Sequence, residues 1–376
     1  MIAMEVTPQP LKLGFIGGSY TSAVGYVHGA ACQLDGRWQL VSGCFSRDID
    51  TSLKTGATWH LPADRVYSDW QQYIAKEAAL LDAVVVLTPT PSHVDVVCAL
   101  LQAGVAVICE KAMAADLQQS IAIQKALDET KGFLAVTFNY SGYPMVRVLR
   151  RHVQEGTFGE LKQIQIEFHS DGFIQAPEKM HPQAWRLVDG AIPTILLDLA
   201  VHVQHLSEFI TGQIPLSVNA DFHHFSIFDG IVDDAYLWAK FEKGMRASYW
   251  VSKTALGHRN GLRVRLFGEQ ASAEWYQEEP ERLHIYGKDS VRMTYDRGNC
   301  YFKEEVRERF KPGHPAGFVE AFANLYNDIA DALVMFRKKG QFQSPYVFGW
   351  QHAHDGLVML DAAVQSNKTE TWVEIN

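Results

Sequence analysis

Three side chains and one glycine-rich turn carry groups able to move protons and hold phosphate. Lys111 ends the run Ile108-Cys109-Glu110-Lys111, so a strand over Val105–Cys109 would present an ammonium group at a sheet edge. Asp198 and His202 sit in Thr194–Ile210, a segment rich in apolar residues. At about 100° per residue, Ile195, Leu199, His202, Leu206 and Phe209 form one helical stripe, with Asp198 beside His202. An imidazole exchanges protons near neutral pH, and an ammonium group stabilises a developing oxyanion. Burying a carboxylate and an imidazole on an apolar face is costly unless they are paired or line a cleft. A packed Asp–His pair is therefore the alternative to a site. Zinc on Asp198, His202 and His205 would need a further ligand, and His223-His224 lies on a different strand-like segment.

The turn is Gly17-Gly18-Ser19-Tyr20-Thr21-Ser22-Ala23-Val24-Gly25, after the apolar run Leu11–Ile16 and before a helix expected to begin near Ala23. A strand, a glycine loop and a helix N-terminus together aim backbone N–H groups at a phosphate. The spacing departs from G-x-G-x-x-G, which leaves a plain structural turn as the alternative. The second strand ends in Cys44-Phe45-Ser46-Arg47-Asp48. An acidic residue directly after that strand would favour NAD through the ribose hydroxyls, whereas Ser46 and Arg47 suit the 2′-phosphate of NADP, toward which the reading leans. Arg47 as a solvated loop residue is the alternative. Thr88-Pro89-Thr90-Pro91-Ser92-His93 follows the third strand and would line the same carboxyl edge.

These groups need a scaffold, and its grammar is legible. Apolar runs at Leu11–Ile16, Leu40–Phe45, Ala83–Leu87, Val105–Cys109 and Phe133–Phe138 alternate with helical stretches such as Val94–Ala103 and Leu117–Glu129. That alternation predicts a doubly wound parallel sheet covered on both faces. Ser92 is the expected N-cap of the first of these helices and Gly104 its C-terminal stop. After a helix following Pro144, eight strand-like runs are joined by short turns: Leu161–Phe168, Leu216–Phe225, Ala235–Phe241, Arg246–Val251, Arg263–Phe267, Ala273–Tyr276, Leu283–Tyr286 and Val291–Tyr295. They predict a mainly antiparallel sheet in an α+β domain, with further helices at Phe318–Lys338 and Gln351–Ser366. The expected division is a Rossmann domain over 1–138 and an α+β domain over 139–376, whose terminal helices pack back on the first.

With this pattern in place, the chain resembles the Gfo/Idh/MocA oxidoreductases, the glucose-fructose oxidoreductase and inositol dehydrogenase group. The resemblance rests on the glycine loop followed by Val27-His28, then Thr88-Pro89, Cys109-Glu110-Lys111, Asn139-Tyr140, Trp185-Arg186 and Asp198-x-x-x-His202. It implies Lys111, Asp198 and His202 as the catalytic group. It further implies a nicotinamide cofactor, NAD or NADP, held by Gly17, Gly18, Ser19, Tyr20, Thr21, Ser22, Ser46, Arg47, Thr88, Pro89, Thr90, His93, Glu110, Lys111, Asn139, Trp185 and Arg186. The implied reaction moves hydride between that cofactor and a secondary alcohol of a sugar or cyclic polyol. Tyr143, Asp171, His181 and His258 join Lys111, Asp198 and His202 as candidates for binding substrate hydroxyls, with packing or solvation as the alternative for each of the four. Three residues depart from the family pattern: Ala112 replaces the proline after the lysine, Ala200 a glycine before the histidine, and only Gly190 remains of a glycine run. Regulatory dinucleotide-binding proteins and NAD-dependent glycoside hydrolases share the architecture and are the rival classes.

Composition narrows the partners. A net charge of −9 gives no footprint for nucleic acid, and there is no apolar run long enough to span a bilayer. Met1–Pro10 reads as a short extension without signal-peptide character, so the expected compartment is the cytoplasm, where Cys32, Cys44, Cys98, Cys109 and Cys300 remain thiols. No metal is expected. Alternation along Val218–Phe228 and Ala235–Phe241 supplies apolar and aromatic residues on both faces of the sheet, including Phe222, Phe228, Tyr236 and Trp238, and the face without helices suggests a homodimer or homotetramer.

Overall fold

The structure, a computed structural model, describes residues 9–22 and 24–375. Most of the Met1–Pro10 extension lies outside the described residues, as does Ala23, the expected helix start. The chain forms two compact units: Met1–Met113, Ile121–Thr137 and Phe318–Trp350 make the first, and Ala114–Ser120, Phe138–Gly317 and Gln351–Asn376 the second.

In the first unit, β1 (Leu11–Gly17), α1 (Gly25–Gln33), β2 (Trp38–Cys44), α2 (Ile49–Thr58), α3 (Trp70–Glu77), β3 (Ala83–Leu87), α4 (His93–Gln102) and β4 (Ala106–Cys109) alternate before α5 (Leu117–Thr130) and β5 (Leu134–Val136). The sheet order is β2-β1-β3-β4-β5, and every pairing is parallel. This is a Rossmann sheet, and its order reverses at β1 and β3, the switch point where such sheets bind ligands. Strand β3 is buried at all five positions, which explains its unbroken valine-rich run. Gly104 closes α4 as expected, with φ 74° and Val105 N–H donating to Leu100 O. Ser92 differs from expectation: it precedes α4, but its hydroxyl donates to Pro89 O because a short 3₁₀ turn over Thr90–Ser92 leads into the helix.

The second unit runs from α6 (Pro144–Gln154) through β6 (Leu161–His169), α7 (Val201–Thr211), β7 (Pro215–His223), β8 (Asp234–Phe241), β9 (Arg246–Ser252), β10 (Arg263–Gly268), β11 (Ala271–Tyr276), β12 (Leu283–Gly287) and β13 (Arg292–Tyr295). Beyond these come α8 (Phe318–Lys339), α9 (Trp350–Thr369) and β14 (Val373–Glu374). The nine-stranded sheet is ordered β13-β12-β11-β10-β6-β9-β8-β7-β14 and is antiparallel except where β6 pairs with β9. Ser207 on α7 meets the Tyr249 hydroxyl of β9 at 2.6 Å, fixing that helix on the face that buries Ile164, Ile166 and Leu237. Helix α8 belongs to the first unit, where Phe322, Leu325, Tyr326 and Ile329 complete the core made by Leu13, Phe15, Trp38 and Leu40.

One expectation about this sheet is corrected, and its faces are now resolved. Strand β7 stops at His223, because Asp233 takes the N–H groups of Phe225 and Ser226 out of the ladder, and Phe228 packs on Phe173 instead. Phe222 pairs with Ala235 on the helix-covered face, so of the four aromatics only Tyr236 and Trp238, 39% and 40% exposed, lie on the open one.

Candidate functional site

The carboxyl edge of the first unit is built for close backbone approach. Gly17 and Gly18 have φ of 86° and 74°, in the left-handed region that favours glycine. A Cβ on Gly17 would lie 2.5 Å from the carbonyl carbon of Leu87, and one on Gly25 2.3 Å from Gly18 O. Here β1, β3 and the start of α1 touch through their main chains. Val24, the N-cap of α1, offers no side-chain hydrogen bond, and the first turn holds no acidic residue. The helix N-terminus therefore keeps its partial positive charge for an anion. Ser22 Oγ accepts from Gly25 N–H at 3.2 Å, Ser19 Oγ lies 2.9 Å from Thr21 Oγ1, and Tyr20 N–H donates to Thr55 Oγ1 at 3.1 Å, leaving the Tyr20 ring exposed. After β2, Ser46 Oγ accepts from Asp48 N–H, Asp48 caps α2, and Arg47 is exposed.

At the ends of β3 and β4 the predicted residues divide in role. Thr88 Oγ1 is buried with no hydrogen-bond partner, as a group awaiting a ligand would be. Thr90 is buried in the turn that opens with Pro89 at its N-cap. His93 is consumed within the protein: Nε2 lies 2.7 Å from Thr88 O and Nδ1 2.8 Å from Ala112 O, tying the two strand ends together. Burial pushes the His93 pKa down, and the two carbonyls offset this only in part. Glu110 is consumed too. Its Oε1 lies 3.3 Å from His28 Nε2 and accepts from Thr137 Oγ1, while His28 Nδ1 meets Tyr326 OH at 2.7 Å. Burial works to raise the Glu110 pKa, but the His28 hydrogen bond, the His28 and Lys111 charges and the Thr137 hydroxyl hold it below the usual range. The Lys111–Ala112 peptide bond is cis, and Lys111 is half-buried.

In the second unit the helix carrying Asp198 and His202 opens with a π turn, Leu196–Ala200, and continues as α7. Asp189 starts it by accepting Thr194 N–H at 2.8 Å. The 3.6-residue period assumed for the stripe therefore fails over this turn, and π turns recur at functional sites. Asp198, Leu199, His202, Leu206 and Phe209 are all buried, but so are the residues between them except the half-buried Glu208, so the helix has no broad solvated face there. Asp198 is the centre of an ion cluster: Oδ2 accepts from Lys253 Nζ at 2.6 Å and pairs with Arg186 Nη1. Arg186 also lies over the Trp185 ring, 4.5 Å from its centroid, and Trp185 Nε1 donates to Gln183. His202 packs edge-on against Tyr140, and His205 stacks on Phe138 with centroids 4.0 Å apart.

Asn139 carries a buried amide nitrogen with no hydrogen-bond partner. Tyr143 is buried against Trp275 and Tyr140. Asp171 accepts from Gly257 N–H and Gln175, and its own N–H donates to His258 O, so it pins the loop holding His258. His181 is exposed. Among the described residues no group of three His, Cys, Asp or Glu side chains could hold a metal, and no helix is long and apolar enough to cross a membrane. Lys253 escaped the sequence reading, because a lysine one position past a strand end carries no local signal of an ion pair with a residue 55 positions away.

Two family models match the chain. Residues 11–138 match the oxidoreductase family, NAD-binding Rossmann fold, and residues 146–274 match the GFO/IDH/MocA C-terminal domain. The chain belongs to the Gfo/Idh/MocA family. It is 30% identical to the uncharacterized oxidoreductase YfiI of Bacillus subtilis over 98% of both chains. It is 32% identical to an inositol 2-dehydrogenase of Rhizobium meliloti, over 79% of this chain and 82% of that one. Among solved structures, an inositol dehydrogenase homolog of Azotobacter vinelandii complexed with NADH and myo-inositol matches with TM-score 0.88 at 26% identity, over 98% of each chain. This Gfo/Idh/MocA protein is thus an NAD(P)-dependent oxidoreductase with an NAD-binding Rossmann domain. The glycine cradle at Gly17 and Gly18 and the orphaned Thr88 Oγ1 fit such a cofactor.

Proposed function

We propose that this protein reversibly oxidises a secondary alcohol of a sugar or cyclic polyol. The observation that carries the reading is that a chain of this family, similar to an inositol 2-dehydrogenase, keeps Lys111 at the end of β4 together with Asp198 and His202 on one buried helix. The bound nicotinamide supplies the hydride acceptor. Gly17, Gly18 and the N-terminus of α1 would hold its pyrophosphate, with Thr88 as a further contact. The Lys111 ammonium group donates to the reacting oxygen and stabilises its negative charge as the proton leaves. An imidazole nitrogen of His202 takes that proton, and the Asp198 carboxylate orients a neighbouring hydroxyl. The alcohol thereby loses one proton and one hydride and becomes a carbonyl.

The test is a screen of polyols and sugars with NAD and NADP, followed at the reduced-nicotinamide absorbance, on wild type and Arg47→Ala. We expect net cofactor reduction with a cyclic polyol, and a larger loss of NADP than of NAD binding in the variant, since only NADP offers a 2′-phosphate to the guanidinium group. Glycoside cleavage without net reduction, or cofactor binding without any turnover, would replace this reading with one of the rival classes. Equal losses for both cofactors would show that Arg47 does not read the phosphate.

We also propose a homodimer or homotetramer joined through the open face of the nine-stranded sheet. Tyr236 stacks between Trp238 and Trp250 there, at centroid distances of 6.2 and 5.8 Å, and half-exposed aromatics in a row favour a covering partner. Light scattering should give a multiple of 42.2 kDa at micromolar concentration, and Trp238→Glu should shift it toward the monomer. A wild-type monomer would refute the assembly.

A further inference from the structure

Asp189 does more than start the helix that carries Asp198 and His202. Its two carboxylate oxygens hold different parts of the second unit: Oδ1 accepts from Thr194 N–H at 2.8 Å, in the first turn of that helix, and Oδ2 accepts from Val232 N–H at 2.7 Å, in the connection between β7 and β8. Thr194 Oγ1 donates to Val188 O at 3.1 Å, and Ile192, Pro193 and Thr194 are buried. Beside Val232, Asp233 donates its N–H to His223 O and accepts Lys253 N–H at its carbonyl, at 2.8 Å. One side chain thus ties the helix start to the strand end from which Lys253 reaches Asp198.

The π turn makes that tie consequential. Val201 N–H donates to Leu196 O, five residues back, so Leu196–Ala200 holds one residue more than an α turn would. An extra residue of this kind stays in a helix only while both ends are held. The C-terminal end is fixed, with Ser207 Oγ 2.6 Å from Tyr249 OH and Gly212 closing α7 in left-handed backbone at φ 64°. At the other end, where a run of glycines would leave slack, Pro193 restricts the backbone and Asp189 holds Thr194. We propose that Asp189 is a positioning residue: by joining Thr194 to Val232 it keeps the extra residue in the π turn, and with it the placement of Asp198 relative to His202. Without the tie the turn relaxes to α-helix, which rotates Asp198 about the helix axis by up to about 100° relative to His202, the angle of one residue. The proposal rests on the alcohol-oxidation reading, in which both side chains meet the substrate, and deepens it with a residue that acts through them.

The experiment compares wild type, Asp189→Asn and Asp189→Ala on myo-inositol with NAD, resolving kcat and KM, beside a titration of NAD binding and a urea melt. Asparagine keeps one acceptor oxygen, enough to cap the helix, but its amide nitrogen cannot accept the second N–H. Asp189→Ala should lower kcat by about tenfold or more, as misplaced reacting groups do, with NAD affinity unchanged, and Asp189→Asn should fall in between. Wild-type kcat in folded Asp189→Ala, with a lower urea midpoint as the sole effect, would mark Asp189 as structural and overturn the proposal. If Asp189→Ala does not fold, Asp189→Asn decides: wild-type kcat in that variant would overturn it equally. If wild type turns over no polyol, the oxidation reading fails separately, and a crystal structure of Asp189→Ala, or of Asp189→Asn in its place, still decides the tie. It should show α-helical hydrogen bonding across Leu196–Ala200, and a retained π turn would overturn the proposal.

Discussion

Lys111→Ala and His202→Ala are each expected to lower kcat/KM for alcohol oxidation by about 10²-fold or more, the range for losing a positioned electrostatic or acid–base group. The Lys111 ammonium group ends a strand whose neighbours are locked: Glu110 in the His28 and Thr137 network, and Ala112 by its carbonyl on His93. Removing the lysine side chain leaves that frame in place, so cofactor affinity should change little and the loss should fall on the chemical step. His202 is buried on its helix, and alanine there deletes the proton acceptor with little change in backbone preference. The check is steady-state kinetics beside a titration of cofactor binding for each variant. Wild-type turnover in either one would remove that residue from the mechanism.

The second large effect is expected at the glycine cradle. Gly17→Ala places a methyl group 2.5 Å from Leu87 C and 2.6 Å from both Leu87 O and Thr88 N, at φ 86°. The atoms it meets are main chain in a fully buried strand, which cannot yield as a flexible side chain would. Left-handed strain and overpacking together should destabilise the fold by about 2–4 kcal/mol and weaken cofactor binding at least tenfold. Gly36→Ala is the control: its φ of 67° carries the same backbone strain, but nothing lies within 4 Å of the added carbon. It should cost about 1 kcal/mol and leave cofactor affinity unchanged. Urea melts in which the two variants lose equal stability would show that close approach of β1 to β3 is not what requires the glycine.

Much of this protein is legible in its amino-acid sequence alone. The five parallel strands and eight later strands announce themselves through apolar runs and alternation, since burial on two faces or on one leaves a local imprint on sequence. The glycine loop, Lys111, Asp198 and His202 were equally visible, because a turn of special backbone geometry and polar groups inside apolar runs stand out against their neighbours. The family pattern likewise drew on short motifs in order along the chain. Other features depended on which distant segments meet. Only the fold sets Glu110 against His28, and His28 against Tyr326, 298 positions further on. The π turn at Leu196–Ala200 has no compositional signature, β7 ends where Asp233 claims its N–H groups, and β14 is a two-residue strand that only its pairing with β7 defines. Lys253 reaches Asp198 because β9 and the Asp198 helix pack together in the second unit. Periodicity records which face of an element is buried; which polar group meets which is set by topology and register, and those leave no local trace in the sequence.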